Sequence, residues 1–285
     1  MEKCSIIIPI YKSELSGLEL CSFIRGVEIF KEYPMIIVTH KNLNLSFYYE
    51  ISCKFRVKFI IEYFDEEYFM SVSGYNKLTF SKSFYQRFTN YEYILIYQTD
   101  AYVFRDELQQ WCSKGYDYIG APIFQRLNKN EFSTKVEGVG NGGFCLRKPA
   151  YCLKILNYPS FLPYLTPKGL YKMKKLYYQR NDIKHSIIND ILLCISFVLG
   201  IFGVRNNVNY YIKSGKLNED YLYSIYANLS WIKVSLPKFD EALKFSFEKH
   251  PKLLYDLNDK KLPFGCHAFE KNNYNDFWKN IIKYE

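Results

Sequence analysis

With 285 residues the chain is long enough to bury one large hydrophobic core, and an apolar share of 48% excludes a disordered chain. Its formal net charge of +9, from 38 Lys and Arg against 29 Asp and Glu, suits an anionic ligand or surface. That charge is scattered except over residues 168–175, and no recognisable nucleic-acid motif accompanies it, so nucleic acid is excluded as the expected partner.

Residues 5–9 are an apolar run that predicts a strand. Ser16 and Glu19 then have capping-box spacing, and Leu20, Phe23, Ile24 and Val27 continue at helical intervals. Residues 35–39 and 57–61 predict a second and a third strand, and residues 76–88 a helix. The run Tyr93, Ile94, Leu95, Ile96, Tyr97 ends abruptly in Gln98, Thr99 and Asp100, as a buried parallel strand does when its carboxyl end faces a ligand. A short helix over 106–114 and a strand over 116–120 follow. This alternation predicts an α/β fold with a mostly parallel sheet flanked by helices.

The second half is less regular. Residues 138–143 form a glycine cluster that reads as a turn or ligand-lining loop, and the P-loop spacing is absent. Residues 164–216 read as a helical excursion, basic first and apolar later. Within it residues 191–204 carry no charge but are too few to span a bilayer comfortably, so a core or interfacial helix is expected. This excursion either covers the site or touches a membrane through residues 168–204. Asn218, Glu219 and Asp220 open a further helix over 221–228, with Asn218 as its cap. Neither a repeat nor a low-complexity linker divides the chain, which is read as one domain over 1–285. Eight cysteines without a CxxC pair disfavour a zinc site and fit a reducing compartment, and the N-terminus runs straight into a strand without a signal peptide.

Three clusters have the residue types that transfer of a sugar from a nucleotide diphosphate needs. A divalent cation for the diphosphate would rest on Asp100, with Gln98 on the same side of an extended chain. His267, one of four histidines with His40, His185 and His250, sits between Cys266 and Ala268 in an expected loop and would complete the shell. A carboxylate base would come from Asp220, leaving Glu219 for hydroxyl contacts. Asn141, Gly142 and Gly143 would wall the donor sugar. Pro9, Tyr11 and Lys12 leave the first strand where a base or ribose fits; Tyr75, Asn76 and Lys77, with Thr99 and the more distant Lys82, stand near the phosphates. Each cluster has a plainer structural use: helix capping at 218–220, a loop hydrogen bond at His267, a bulged turn at 138–143.

These stretches run in order along nearly the whole chain: Ile8-Pro9-Ile10-Tyr11-Lys12, Gly74-Tyr75-Asn76-Lys77, Tyr97-Gln98-Thr99-Asp100, Gly140-Asn141-Gly142-Gly143, Asn218-Glu219-Asp220 and Gly265-Cys266-His267. As a set they resemble the GT-A class of nucleotide-sugar glycosyltransferases, and more narrowly a bacterial family of uncharacterised glycosyltransferase-like domains. The resemblance implies a GT-A-like, Rossmann-like sheet, with a nucleotide-binding half over 1–125 and an acceptor and catalytic half over 126–285. It implies a cytoplasmic enzyme, at most peripheral at the inner membrane face. The enzyme would use a nucleotide sugar, a UDP-sugar first, with Mn²⁺ or Mg²⁺, to build a bacterial surface polysaccharide. Asp100 takes the place of the last Asp of the DxD motif, His267 that of the C-terminal metal ligand, and Asp220 that of the base of an inverting displacement. Gln98 stands where the first Asp of DxD would be. Two other readings are a non-catalytic sugar-nucleotide or glycan-binding module on the same fold, and a basic membrane-peripheral interaction protein.

Overall fold

The computed structural model describes residues 2–126, 132–180, 186–215 and 217–283. In chain order its strands are β1 (Glu2–Pro9), β2 (Met35–Thr39), β3 (Phe59–Tyr63), β4 (Tyr91–Tyr97), β5 (Ala101–Val103), β6 (Tyr118–Ile119), β7 (Ala121–Arg126), β8 (Phe132–Gly140), β9 (Phe144–Arg147), β10 (Ser246–Phe247) and β11 (Gly265–His267). The helices are α1 (Gly17–Ile29), α2 (Ser46–Phe55), α3 (Val72–Thr79), α4 (Lys82–Gln86), α5 (Leu108–Ser113), α6 (Pro149–Leu156), α7 (Pro167–Arg180), α8 (Ile187–Ile201), α9 (Val208–Lys213), α10 (Glu219–Tyr221), α11 (Phe239–Phe245) and α12 (Pro251–Leu257).

The main sheet reads β3-β2-β1-β4-β9-β6, with β1 to β4 parallel, β9 antiparallel to β4 and β6 antiparallel to β9. This is the parallel-rich α/β architecture expected from the sequence. Its central strands are unbroken apolar runs because helices cover both faces. Ile7, Ile94 and Ile96 point into a layer with Phe84, Tyr85, Cys152 and Ile155. Ile6, Ile8, Tyr93, Leu95 and Tyr97 point into the opposite layer with Phe23, Val27 and Tyr48. A third cluster packs Phe247, Phe269 and Trp278 beside the small sheet β10-β11-β5. The chain leaves β1 toward β2 on one side and returns as β4 on the other, so a crevice opens at the carboxyl ends of β1 and β4.

Several local expectations need correcting. The single helix expected over 76–88 is two, because the Thr79 hydroxyl bonds back to the Tyr75 and Asn76 carbonyls and Ser81 caps a new start by accepting the Phe84 N–H. The third strand begins at Phe59 rather than residue 57, since Arg56 ends α2 in the left-handed conformation and Val57 still bonds to Ser52. The capping box fails: the Ser16 side chain makes no cap bond, and Glu19 pairs with Lys12 at 2.7 Å. Asn218 occupies the cap position of α10, but its side-chain oxygen accepts from Asn76 at 3.2 Å instead of capping. That helix runs into a π-helical turn over Leu222–Tyr226. Residues 138–140 finish a strand, and residues 265–267, expected as loop, form β11. The helical excursion is realised as α7, α8 and α9, with residues 181–185 and 216, His185 included, outside the described residues. The apolar stretch after residue 190 lies in α8, on the surface and not in the core. Among the described residues no helix is long and apolar enough to cross a membrane.

Candidate functional site

The crevice is built by register. β4 ends at Tyr97, and the Ala101 N–H donates to the Gln98 carbonyl at 2.9 Å, which turns the chain through Thr99 and Asp100 into β5. β5 pairs antiparallel with β11, setting His267 opposite Ala101 and its imidazole beside Asp100. Nε2 of His267 lies 3.2 Å from Asp100 Oδ1 and 3.2 Å from Gln98 Oε1, and Lys271 Nζ lies 3.2 Å from Asp100 Oδ2. Gly143 makes this approach feasible. A Cβ there would stand 2.0 Å from His267 Nε2 and 2.7 Å from Gln98 Oε1, and its carbonyl accepts the Gln98 N–H at 2.9 Å.

Asn141 ties this cluster to the second one. It is buried at a φ of 101°, a left-handed conformation that asparagine tolerates better than most side chains. Its Oδ1 accepts from Gly143 N–H at 2.7 Å and Phe144 N–H at 3.3 Å, and its Nδ2 donates to Glu248 at 3.2 Å. Its own N–H donates to Asp220 Oδ2 at 3.3 Å, while Tyr221 N–H donates to Asp220 Oδ1 at 3.0 Å. Glu248 also reaches to 3.8 Å from His267 Nδ1. Asp100, His267, Glu248, Asn141 and Asp220 thus form one continuous polar chain. Glu219 takes a different part. It is 2% exposed, and Arg147, fully buried, donates to it at 3.1 and 3.4 Å. Its Oε1 would lie 2.5 Å from a Cβ on Gly142, so the second glycine is required as well.

The charges shape one another. Burial, reinforced by the Glu219 and Glu248 carboxylates, pushes the Asp220 carboxyl up to about 7 against the two backbone N–H groups that favour its ionised form. Burial also disfavours charge on Asp100 and His267, but they face each other. His267, flanked by Asp100 and Glu248, is pushed up to about 10, and Asp100, held by His267 and Lys271, falls well below the usual carboxylate range. Here the imidazolium Nε2–H points at the carboxylate and carboxamide oxygens, so a divalent cation among these donors would have to displace that proton. No group of three or more His, Cys, Asp or Glu side chains among the described residues could hold an ion. Asp100, His267 and the Gln98 amide are the side chains here that could contribute to such a site.

The remaining sequence candidates spread around this centre. Pro9 ends β1 in register with Val38; Tyr11 beyond it is 52% exposed. Lys12 is spent on Glu19 at the same crevice. Tyr75 is half-buried with its hydroxyl enclosed, and burial first, then the Glu219 carboxylate, raises that hydroxyl's pKa. Asn76 bonds to Asn218 at 3.2 Å, which brings α3 to the acidic turn. Thr99 is buried behind Asp100, whereas Lys77 and Lys82 are exposed. Sequence reading missed Glu248, Lys271 and Arg147. Arg147 is signalled only by an unpaired-looking cation inside an apolar strand; Glu248 follows a two-residue strand that leaves no periodic trace.

A family model described as "Protein of unknown function (DUF5672)" matches residues 58–267. The chain belongs to this family. The DUF5672 match spans β3 to β11, and with them Asp100, Asn141, Asp220, Glu248 and His267. No curated protein matches the sequence. Solved structures similar to this DUF5672 chain include the core-mannan synthase A (CmsA/Ktr4) of Aspergillus fumigatus in its Mn/GDP form, at 12% identity and TM-score 0.39, over 78% of this chain and 72% of that one. They also include S. aureus TarS 1–349 in complex with UDP-GlcNAc, at 14% identity and TM-score 0.34, over 53% of this chain and 47% of that one. A third is A197 from STIV, at 15% identity and TM-score 0.30, over 56% and 71%.

Proposed function

We propose that the protein is an inverting glycosyltransferase that moves a sugar from a nucleotide diphosphate, a UDP-sugar first among donors, to a hydroxyl of a growing glycan such as a bacterial surface polysaccharide. The observation that supports this most is a carboxyl pushed up to about 7, Asp220, linked through Asn141 and Glu248 to Asp100 and His267 at the carboxyl ends of β1 and β4. A base near neutrality is suited to taking a proton from an alcohol. Asp220 accepts the acceptor's hydroxyl proton as the new C–O bond forms on the face of the anomeric carbon opposite the departing diphosphate, which inverts its configuration. The N–H groups of Asn141 and Tyr221 fix both Asp220 oxygens, and so aim the base. Gly142 and Gly143 would wall the donor sugar, with Glu219 and His267 packed close against them. Asp100, His267 and the Gln98 amide would hold a divalent cation, which supplies charge neutralisation on the diphosphate. Lys271, on Asp100, adds positive charge at the same end. Eight free thiols fit work in the reducing cytoplasm.

The test is release of nucleotide from UDP-, GDP- and dTDP-sugars with Mn²⁺ and a glycan acceptor. One donor is turned over, and Asp220→Asn lowers turnover by about 10²–10⁴-fold while leaving donor binding intact. Donor binding without turnover by the wild-type protein would instead favour the non-catalytic module that Gln98 in the DxD position permits.

A further inference from the structure

Helix α8 is apolar on both of its faces. Leu193, Ser196, Phe197 and Gly200 lie toward the protein: Phe197 packs edge-on to Tyr171 of α7, Gly200 is buried where a Cβ would lie 2.6 Å from Leu170, and Ser196 accepts a hydrogen bond from Lys174 of α7. Ile187, Ile188, Ile191, Leu192, Ile195 and Val198 face outward, the first two 81% and 71% exposed. Phe202, 76% exposed, extends this face past the helix end, and the backbone of Phe161 and Leu162, also exposed, lies 3.5–3.7 Å from a Cβ placed on Gly203. A helix that is apolar all round is ordinarily covered on both sides, and here one side lies open. The apolar surface is therefore matched to something other than water.

The surrounding charge identifies what covers it. Residues 158–215 hold eight Lys or Arg against two acids, so most of the chain's net +9 lies in this one segment. Lys168, Lys172 and Lys175 are exposed on α7, the helix against which α8 packs, and Arg205 is exposed just beyond Phe202. A second copy of the chain, docked about a two-fold axis, would bring these like charges together. An anionic bilayer surface satisfies both features, apolar side chains in the acyl boundary and ammonium groups at the lipid phosphates. At 15 residues α8 is about 22 Å long, short of the roughly 30 Å hydrocarbon core, so it lies in the interface and does not cross it. We propose that α8, with Phe161, Leu162 and Phe202, is a membrane-docking face for anionic lipid. This rests on surface features alone and stands apart from the transferase reading.

The test is flotation of the full chain with vesicles of phosphatidylcholine alone and with about a third phosphatidylglycerol. The wild-type protein floats with the anionic vesicles and far less with the neutral ones. Ile188→Asp with Ile195→Asp lowers the partition coefficient at least about tenfold, and Lys168→Glu with Lys175→Glu lowers it on anionic vesicles only. All these positions are exposed, so the thermal melts stay at the wild-type value. Cys194, exposed on the same helix, gives a second readout in a Cys53→Ser background: an environment-sensitive fluorophore on it shifts to the blue on adding anionic vesicles. A wild-type chain that fails to float and shows no shift overturns the proposal. So does a wild-type dimer in solution that Ile188→Asp with Ile195→Asp converts to monomer while vesicle binding is unchanged.

Discussion

Asp220 offers a measurement that needs no knowledge of the substrate. In the unfolded chain its carboxyl titrates at the ordinary 3.8, and in the fold at about 7. A raised folded value means the native state binds the extra proton. The stability contributed by Asp220 is then complete below pH 3.8, falls as pH rises above it, and is lost once pH passes 7. At about 1.36 kcal/mol per unit, the loss between pH 5 and pH 8 is roughly 2–3 kcal/mol. Asn is neutral throughout and resembles the protonated acid, with one acceptor for the N–H groups of Tyr221 or Asn141 and one donor. Asp220→Asn is therefore more stable than wild type at pH 8 by about 4 kcal/mol, and the advantage shrinks toward about 1.5 kcal/mol at pH 5. For a chain of this size 1 kcal/mol corresponds to about 2 °C in Tm, so the gap between the two melting curves widens by about 5 °C from pH 5 to pH 8. Paired melts of the two proteins at constant ionic strength read this directly, since every other titrating group cancels in the difference to first order. A gap that is constant with pH, or that narrows on going to pH 8, would show that the Asp220 carboxyl is not held protonated by burial and its acidic neighbours.

Three other perturbations probe the rest of the site. Gly143→Ala puts a Cβ 2.0 Å from His267 Nε2, forcing the ring aside by more than about 1 Å; turnover should fall about 100-fold with the fold retained, and turnover within twofold of wild type would refute the close approach. Arg147→Met strands the Glu219 carboxylate in a site only 2% exposed, and urea unfolding should register a loss of about 3–5 kcal/mol. Adding Glu219→Leu to it should recover most of that; equal losses in single and double variants would mean the pair is not what holds Glu219 there. Asp100→Asn should abolish the part of the donor-induced thermal shift that depends on Mn²⁺ while sparing the part seen in EDTA, and an unchanged Mn²⁺ dependence would remove Asp100 from the cation site.

The sheet was legible because its central strands are continuous apolar runs with an abrupt polar end, and the polar end of β4 pointed at Asp100. What could not be read was anything set by pairing between distant segments. β11 looked like loop because three residues carry no period, yet its register with β5 is what aligns His267 with Asp100. Glu248 was invisible for the same reason, as β10 has two residues. Local capping rules misled at Ser16 and Asn218, whose flanking polar groups found partners across the fold: Glu19 on Lys12, Asn218 on Asn76. The glycines were noticed as permissive backbone, but Gly142 and Gly143 are needed for the side chains facing them, Glu219 and His267, and not for an unusual φ.

The site concentrates negative charge where the fold can least easily bear it. Asp100, Glu219, Asp220 and Glu248 stand around the 140–143 segment, and their compensation is unequal. Glu219 has a buried guanidinium, Asp100 an imidazole and an ammonium, and Glu248 shares that imidazole at a longer distance. Among the described residues Asp220 has two backbone N–H donors and two acidic neighbours. Exchanging the partners of Glu219 and Asp220 would pair Asp220 with the guanidinium and leave Glu219 without it, so the choice of which acid Arg147 serves decides which one is left near neutrality. That choice is made by one helical step: at the start of α10 consecutive residues point about 100° apart, Glu219 toward the β9 strand that carries Arg147 and Asp220 toward Asn141. Adjacent carboxylates in one turn thereby acquire opposite characters, one locked in an ion pair and one poised near neutrality, and the poised one faces the glycine segment that leads to Asp100 and His267.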